Sequence, residues 1–216
     1  MIHFKPLSII ASLTLLASCS QSAVETHIAE EKAKQISAVE TKTVVFAGGC
    51  FWCVESDFDK VEGVVATLSG YSGGHTESPT YKEVSYEDTG HYEVVQVEYD
   101  PGKVSFEVLL DYYWHHVDPT DAGGQFCDRG DSYRTAVFVN DAEQREIAEK
   151  SKADLDAAGI LPSEIVTPIL DAGPFWKAEE YHQDYYVKNP LRYKYYRSSC
   201  GRDARVQEVW SGADSH

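Results

Sequence analysis

Apolar residues change their spacing from segment to segment along this chain, and each change predicts an element. Residues 43–47 are a β-branched and aromatic run that ends at Gly48-Gly49, the pattern of a strand. Beyond the glycines, apolar residues at 51, 54, 58 and 61 follow helical spacing, so residues 50–60 predict a helix opened by Cys50. A second strand is expected over 61–70, followed by a long loop rich in Gly, Ser and Thr over 71–90. Alternation over 92–99, stopped by Asp100-Pro101-Gly102, predicts a third strand. Residues 105–117 read as a helix with Ser105 as N-cap, 118–134 as a second Gly-rich loop, and 135–140 as a strand. An amphipathic helix over 141–158 starts at an Asp141 cap and stops at Gly159. A strand over 164–170, a helix over 177–187 and a loose basic, aromatic tail from Arg192 complete the pattern.

Irregular alternation of about five strands and four helices favours the α+β class. The expected architecture is a two-layer sandwich, one mixed β-sheet with packed helices, of the ferredoxin-like or α-β plait kind. A doubly wound nucleotide fold is disfavoured, because no G-x-G-x-x-G or Walker pattern is present.

The first residues follow another logic. Residues 1–5 are short and basic, and 7–17 form an apolar run too short to span a bilayer. Leu16-Ala17-Ser18-Cys19 then gives a small-residue cleavage site with Cys directly after it. That is the pattern of an export signal ending in a lipobox. The expected organisation is a signal peptide over 1–18, a lipid on Cys19, and a polar tether over 19–41. A catalytic domain over 42–190 and a tail over 191–216 follow. With Ser20 rather than Asp after the cysteine, the expected place is the periplasmic side of the outer membrane of a bacterial envelope. A formal charge of -16 argues against a nucleic-acid partner, since phosphate binding needs a basic face.

Apart from Cys19, the cysteines are 50, 53, 127 and 200. In an oxidising compartment two structural bridges are one reading. The surroundings of Cys50 favour another. A strand ends, two glycines allow a tight turn, and Cys50 opens a helix, where backbone N–H groups favour a thiolate. Cys53 lies one turn later. Zinc is not expected, because no second C-x-x-C or H-x₃₋₅-H accompanies the pair.

Here a specific resemblance enters. The chain contains Gly49-Cys50-Phe51-Trp52, Gly70-Tyr71-Ser72-Gly73-Gly74, Pro79-Thr80-Tyr81, and Thr89-Gly90-His91-Tyr92-Glu93-Val94-Val95. Tyr99-Asp100-Pro101, Asp118-Pro119-Thr120, Asp128-Arg129-Gly130, Tyr133-Arg134 and Ala178-Glu179-Glu180-Tyr181-His182-Gln183 follow in order. This set resembles the A-type peptide-methionine (S)-S-oxide reductases over about residues 42–190. The resemblance implies an enzyme that reduces methionine S-sulfoxide, free or in oxidised proteins, and so repairs oxidative damage. It implies Cys50 as nucleophile, Glu93 as the acid that protonates the sulfoxide oxygen, and Tyr81 and Tyr133 as hydroxyls that bind that oxygen. Asp128 would organise this polar network, and Phe51 and Trp52 would hold the substrate methyl group. No bound cofactor is implied; electrons come from a thioredoxin-like donor, or from dithiothreitol in vitro.

Cysteine at positions 53 and 127 departs from the commonest family pattern, and leaves Cys53, Cys127 and Cys200 all as candidate resolving thiols. Cys200 resembles a C-terminal recycling cysteine on a mobile tail. The alternative activity, suggested by Cys50-x-x-Cys53, is a thioredoxin-type thiol-disulfide oxidoreductase.

Overall fold

The computed structural model describes residues 40–212. The expected signal, Cys19 and most of the tether lie outside these residues. In chain order the elements are β1 (Lys42–Gly48), α1 (Phe51–Phe58), β2 (Val64–Ser72), α2 (Tyr81–Tyr86), β3 (Tyr92–Tyr99) and α3 (Phe106–Trp114). Then come β4 (Gly124–Gln125), β5 (Asp128–Arg129), a 3-10 turn (Asp131–Tyr133), β6 (Thr135–Val139), α4 (Ala142–Ala158), β7 (Ile169–Asp171) and β8 (Trp176–Lys177). The chain closes with α5 (Tyr185–Lys188), α6 (Pro190–Cys200) and α7 (Arg202–Trp210).

The main sheet has the strand order β7-β6-β1-β3-β2-β8. The β6–β7 pair is parallel and the other pairs are antiparallel, so the sheet is mixed as expected. Its four central strands with α1 and α3 follow the β-α-β-β-α-β path of the ferredoxin-like fold. Strand alternation assigns the two faces. Val44, Phe46, Val95, Val97 and Val137 point to the side of α1 and α3 and build the larger core. There the Phe46 ring stacks against Phe58 at 4.9 Å and Tyr113 at 4.8 Å. Cutting such a ring back to alanine costs about 3–5 kcal/mol. Val45, Ala47, Val94, Ala136 and Phe138 form the opposite face, with Leu170 of β7 and Ala172 and Phe175 of the β7–β8 connection packed against it.

Four local expectations are corrected. The strand expected over 164–170 is confined to Ile169–Asp171. The helix expected over 177–187 is instead β8, a run of turns, and one short helix. Side chains win the backbone there: Gln183 accepts from the Ser69 N–H at 3.0 Å and donates to the Ser69 and Ala178 carbonyls at 2.9 Å each. Inside the loop expected over 71–90, a capping box of Thr80 and Glu83 starts α2. The tail expected to be loose is two packed helices. Pro190 sits in the first turn of α6, and Gly201, with φ +72°, makes the left-handed link into α7. Tyr193, Val209 and Trp210 are buried on these helices.

Candidate active site

Cys50 stands at the N-cap of α1, directly after β1 at the centre of the sheet. Gly49 is needed for that turn: its φ is +81°, and a Cβ there would lie 2.6 Å from the Gln125 Cβ. Gln125 is fully buried and locks the facing loop through both Asp118 backbone groups, at 2.9 Å and 2.8 Å.

Around Cys50, the structure brings together a small cavity of about 70 Å³ lined by Phe51, Trp52, Tyr81, Glu93, Asp128, Tyr133 and Tyr196. Every candidate residue of the catalytic and methyl-binding sets is therefore in one place, although they come from five separate parts of the chain. β3 supplies Glu93, α2 supplies Tyr81, and the β4–β5 hairpin and the turn after it supply Asp128 and Tyr133.

Glu93 is 2% exposed, and burial pushes its carboxyl up to about 8. Its Oε2 accepts the Phe51 N–H at 3.0 Å. Burial also raises the phenols of Tyr81 and Tyr133, which hydrogen-bond each other and stay neutral, able to donate. Burial raises the Asp128 carboxyl. The Trp52 indole stacks on Tyr185 with ring centres 3.7 Å apart and donates to His182 Nδ1 at 3.0 Å. Burial lowers His182 to about 4, which keeps it neutral with Nδ1 free to accept.

The expectation of a depressed Cys50 thiol is reversed. Burial, the hydrogen bond with Cys53 and the nearby Glu93 all push Cys50 upward. No hydrogen bond reaches its side chain from the helix start. Cys53 moves the other way: the hydrogen bond from Cys50 lowers it most, and Arg202 and Arg197 lower it further. Of the two thiols, Cys53 is the one whose surroundings favour the thiolate.

Cys127 and Cys200 are joined as a disulfide, whereas Cys50 and Cys53 are free and buried. The reading of two structural bridges is thus corrected. So is the mobile Cys200: it is the last residue of α6, tied to the exposed Cys127. The disulfide sits at the rim of the site, with Cys200 Sγ 3.8 Å from Asp128 Oδ2. Tyr196, one turn before Cys200, is the site residue that sequence reasoning missed. Its hydroxyl bonds both Asp128 and Cys50. The signal was present, since Tyr193, Tyr196, Arg197 and Cys200 share helical spacing.

Comparison with known proteins agrees with this geometry. A family model described as peptide methionine sulfoxide reductase matches residues 42–214. A peptide methionine sulfoxide reductase MsrA of Bacillus licheniformis is 52% identical over 173 residues, covering 80% of this chain and 96% of that protein. MsrA 2 of Caulobacter vibrioides is 54% identical over 180 residues, covering 83% of this chain and 91% of its own. Among solved structures, methionine sulfoxide reductase A of Corynebacterium diphtheriae has a TM-score of 0.62 at 38% identity, covering 70% of this chain and 76% of that one. With a buried thiol, a protonated carboxyl and two neutral phenols around one small cavity, the chain belongs to the peptide methionine sulfoxide reductase A family, thiol-dependent oxidoreductases that reduce methionine sulfoxide to methionine.

Proposed function

We propose that the reaction runs through Cys50 with Glu93 as proton donor, that its product disulfide is passed outward to Cys127–Cys200, and that the enzyme works tethered to a bacterial envelope membrane. The observation that carries the chemical part is the buried Glu93, a carboxyl that holds its proton near neutral pH beside Cys50. A sulfoxide oxygen leaves only when protonated. Cys50 sulfur attacks the sulfoxide sulfur, the oxygen passes to Cys50 as the S–O bond and the transient S–S bond to the substrate break, and methionine leaves with a sulfenic acid on Cys50, whose thiol proton replaces the one given to the oxygen. Glu93 supplies the proton. Tyr81 and Tyr133 hold the oxygen, Asp128 orders them, and the rings of Phe51 and Trp52 take the methyl group. The S epimer and protein-bound substrates follow from the family resemblance.

A sulfenic acid on Cys50 is then resolved by a second thiol. Cys53 hydrogen-bonds Cys50, and the exposed Cys127–Cys200 disulfide is the one a bulky thioredoxin-like donor can reach. No bound cofactor has a task in this sequence of steps. The tether rests on residues 1–19 alone, with Cys19 as lipid carrier and the periplasmic face of the outer membrane as its place.

Turnover of a methionine sulfoxide peptide of each epimer with dithiothreitol tests the reaction, run beside an insulin-reduction assay. S-epimer turnover with no insulin reduction is expected; the opposite result would favour the thioredoxin-type alternative. Release of a Cys19→Ala chain from the membrane fraction tests the tether.

A further inference from the structure

The helices α6 and α7 bring two guanidinium groups to the face of α1 that carries Cys53 and Asp57, four residues apart and so neighbours on the helix. Arg202 is 2% exposed. It donates to the Gly48 carbonyl at 2.9 Å and to the His116 carbonyl at 2.8 Å, and its Nε lies 3.7 Å from Asp57 Oδ2. It thus lies between the strand end before Cys50 and the residue one turn beyond Cys53. Arg197 reaches the same spot from α6, donating to Asp57 Oδ1 at 2.8 Å and to the Tyr193 hydroxyl at 3.0 Å. Tyr193 in turn packs on Cys53.

Charge counting at this place leaves a surplus. Arg197 and Arg202 are largely buried and face one buried carboxylate, Asp57. Asp203, the other partner of Arg197, has a side chain 68% exposed and is screened by water. Arg202 Nε and Asp57 Oδ2 are both buried without a hydrogen-bond partner. A buried cation without a full counter-charge is costly. Asp128 also feels Arg202 but is spent on Tyr196, and Cys53 feels both guanidiniums.

On the relay reading above, we infer that Arg202 and Arg197 are positioning residues that hold Cys53 as a buried thiolate and make it the first thiol to attack the Cys50 sulfenic acid. In that step the Cys53 thiolate forms an S–S bond with Cys50 sulfur and the S–O bond breaks. Cys53 sulfur is oxidised, Cys50 sulfur is reduced, and hydroxide departs as water after taking one proton. Glu93 and the Cys50 thiol face Cys53 from β3 and α1, Tyr185 and Tyr193 from α5 and α6. The Cys50 thiol favours a Cys53 thiolate most, by donating a hydrogen bond to it; Arg202 and Arg197 are the cations that add to this, against burial and the charge of Asp57.

The test uses the full, reduced chain in single turnover with a methionine sulfoxide dipeptide. Methionine reports the first step, dimedone trapping reports the sulfenic acid, and non-reducing peptide mapping reports which disulfide forms first. Wild type should form Cys50–Cys53 first, at a rate nearly flat between pH 6 and 9, because a thiolate already present gains nothing from added base. Arg202→Met and Arg197→Met should resolve the sulfenic acid about tenfold more slowly at pH 7, with a rate that climbs with pH; each unit of raised thiol pKa removes about a tenfold share of thiolate. Arg202→Lys, which keeps the charge, should restore the flat profile. Should Arg202→Met fail to fold, Arg197→Met carries the test, since its side chain is 17% exposed. Unchanged rates and pH profiles in the folded Met variants, or a first disulfide containing Cys127 or Cys200, would overturn the inference. A charge-dependent Cys50–Cys53 disulfide that never passes to Cys127–Cys200 would support it while refuting the relay.

Discussion

The first free amide of α1, on Phe51, donates its hydrogen bond to Glu93 Oε2 and not to the Cys50 sulfur. An N-terminal helix amide favours negative charge wherever it points. Here it points at the carboxyl, and burial still wins, leaving Glu93 protonated up to about pH 8. The helix start therefore anchors and orients the Glu93 carboxyl, while Cys50 sits at the N-cap with its thiol pushed upward by burial and Cys53 beside it is pushed the other way.

Glu93→Gln keeps the shape and the Phe51 hydrogen bond but has no proton to give. The sulfenic-acid-forming step should slow by about 10²–10⁴-fold, with substrate binding largely retained. In wild type this step should weaken as pH rises through about 8, where Glu93 loses its proton. Stopped single-turnover kinetics across pH 6 to 10 checks both points. A variant within about threefold of wild type at saturating substrate would remove Glu93 from the acid role.

Cys50→Ser should form no methionine above background. A hydroxyl at this position ionises far less than a thiol and is a weaker nucleophile toward sulfur. The measurement is methionine released in one turnover by fully reduced protein; release at the wild-type rate would move the nucleophile elsewhere, with Cys53 the next place to look.

Glu55 gives a stability prediction. It is 1% exposed on α1, accepts from the backbone of Asp184, and leaves Oε2 without a partner. Burial, then the charges of Asp59 and Asp184, push it up to about 8. The folded state thus holds this proton more tightly than the unfolded chain does. Its contribution is full below the ordinary carboxyl range, falls as pH rises from about 4.5 to about 8, and is level above that. One proton limits the slope to about 1.4 kcal/mol per pH unit. Glu55→Gln should flatten the fall and be the more stable protein at pH 8. Urea unfolding at pH 5 and pH 8 reads the difference; identical slopes would mean that Glu55 is ionised in the fold.

Much of this was legible in the chain because local rules and tertiary structure agree. Alternation in 92–99 put Glu93 on the face of Val95, and the structure buries both on the helix side of the sheet. Gly48-Gly49 before Cys50 marked the turn at the strand end. Three features escaped for physical reasons. The stretch 178–184 has helical spacing, but the Gln183 side chain claims the Ala178 carbonyl that a helix would use, and Glu179 is spent on the Tyr81 N–H of α2 at 2.8 Å. The last helices look too polar to pack, because α6 buries its Tyr and Arg side chains through ring contacts and ion pairs and not through an aliphatic stripe. The Cys50 thiol was read from its helix start alone, while its burial depends on β3, α6 and the β4–β5 hairpin, which no local pattern reveals.

Cys200→Ser separates chemistry from recycling. Cys200 closes α6 and is held by Cys127, whose exposed position makes their disulfide the accessible one, whereas Cys50 and Cys53 are 7% and 2% exposed. A thioredoxin-like donor must bring its own thiolate in line with the disulfide it attacks, which a buried Cys50–Cys53 bond does not permit. The variant should still convert one sulfoxide per enzyme, and small thiols should still turn it over. Turnover driven by a thioredoxin system should fall by about tenfold or more, since a small thiol enters the pocket and a protein does not. Loss of the link between α6 and the hairpin also frees Asp128 and Tyr196, so the first step is measured separately as a control for damage to the site. Steady-state rates with thioredoxin, compared between wild type and variant at equal first-step rates, decide the matter. Equal turnover would mean that the donor reduces a disulfide of Cys50 directly and that the outer pair serves only to pin α6 in place.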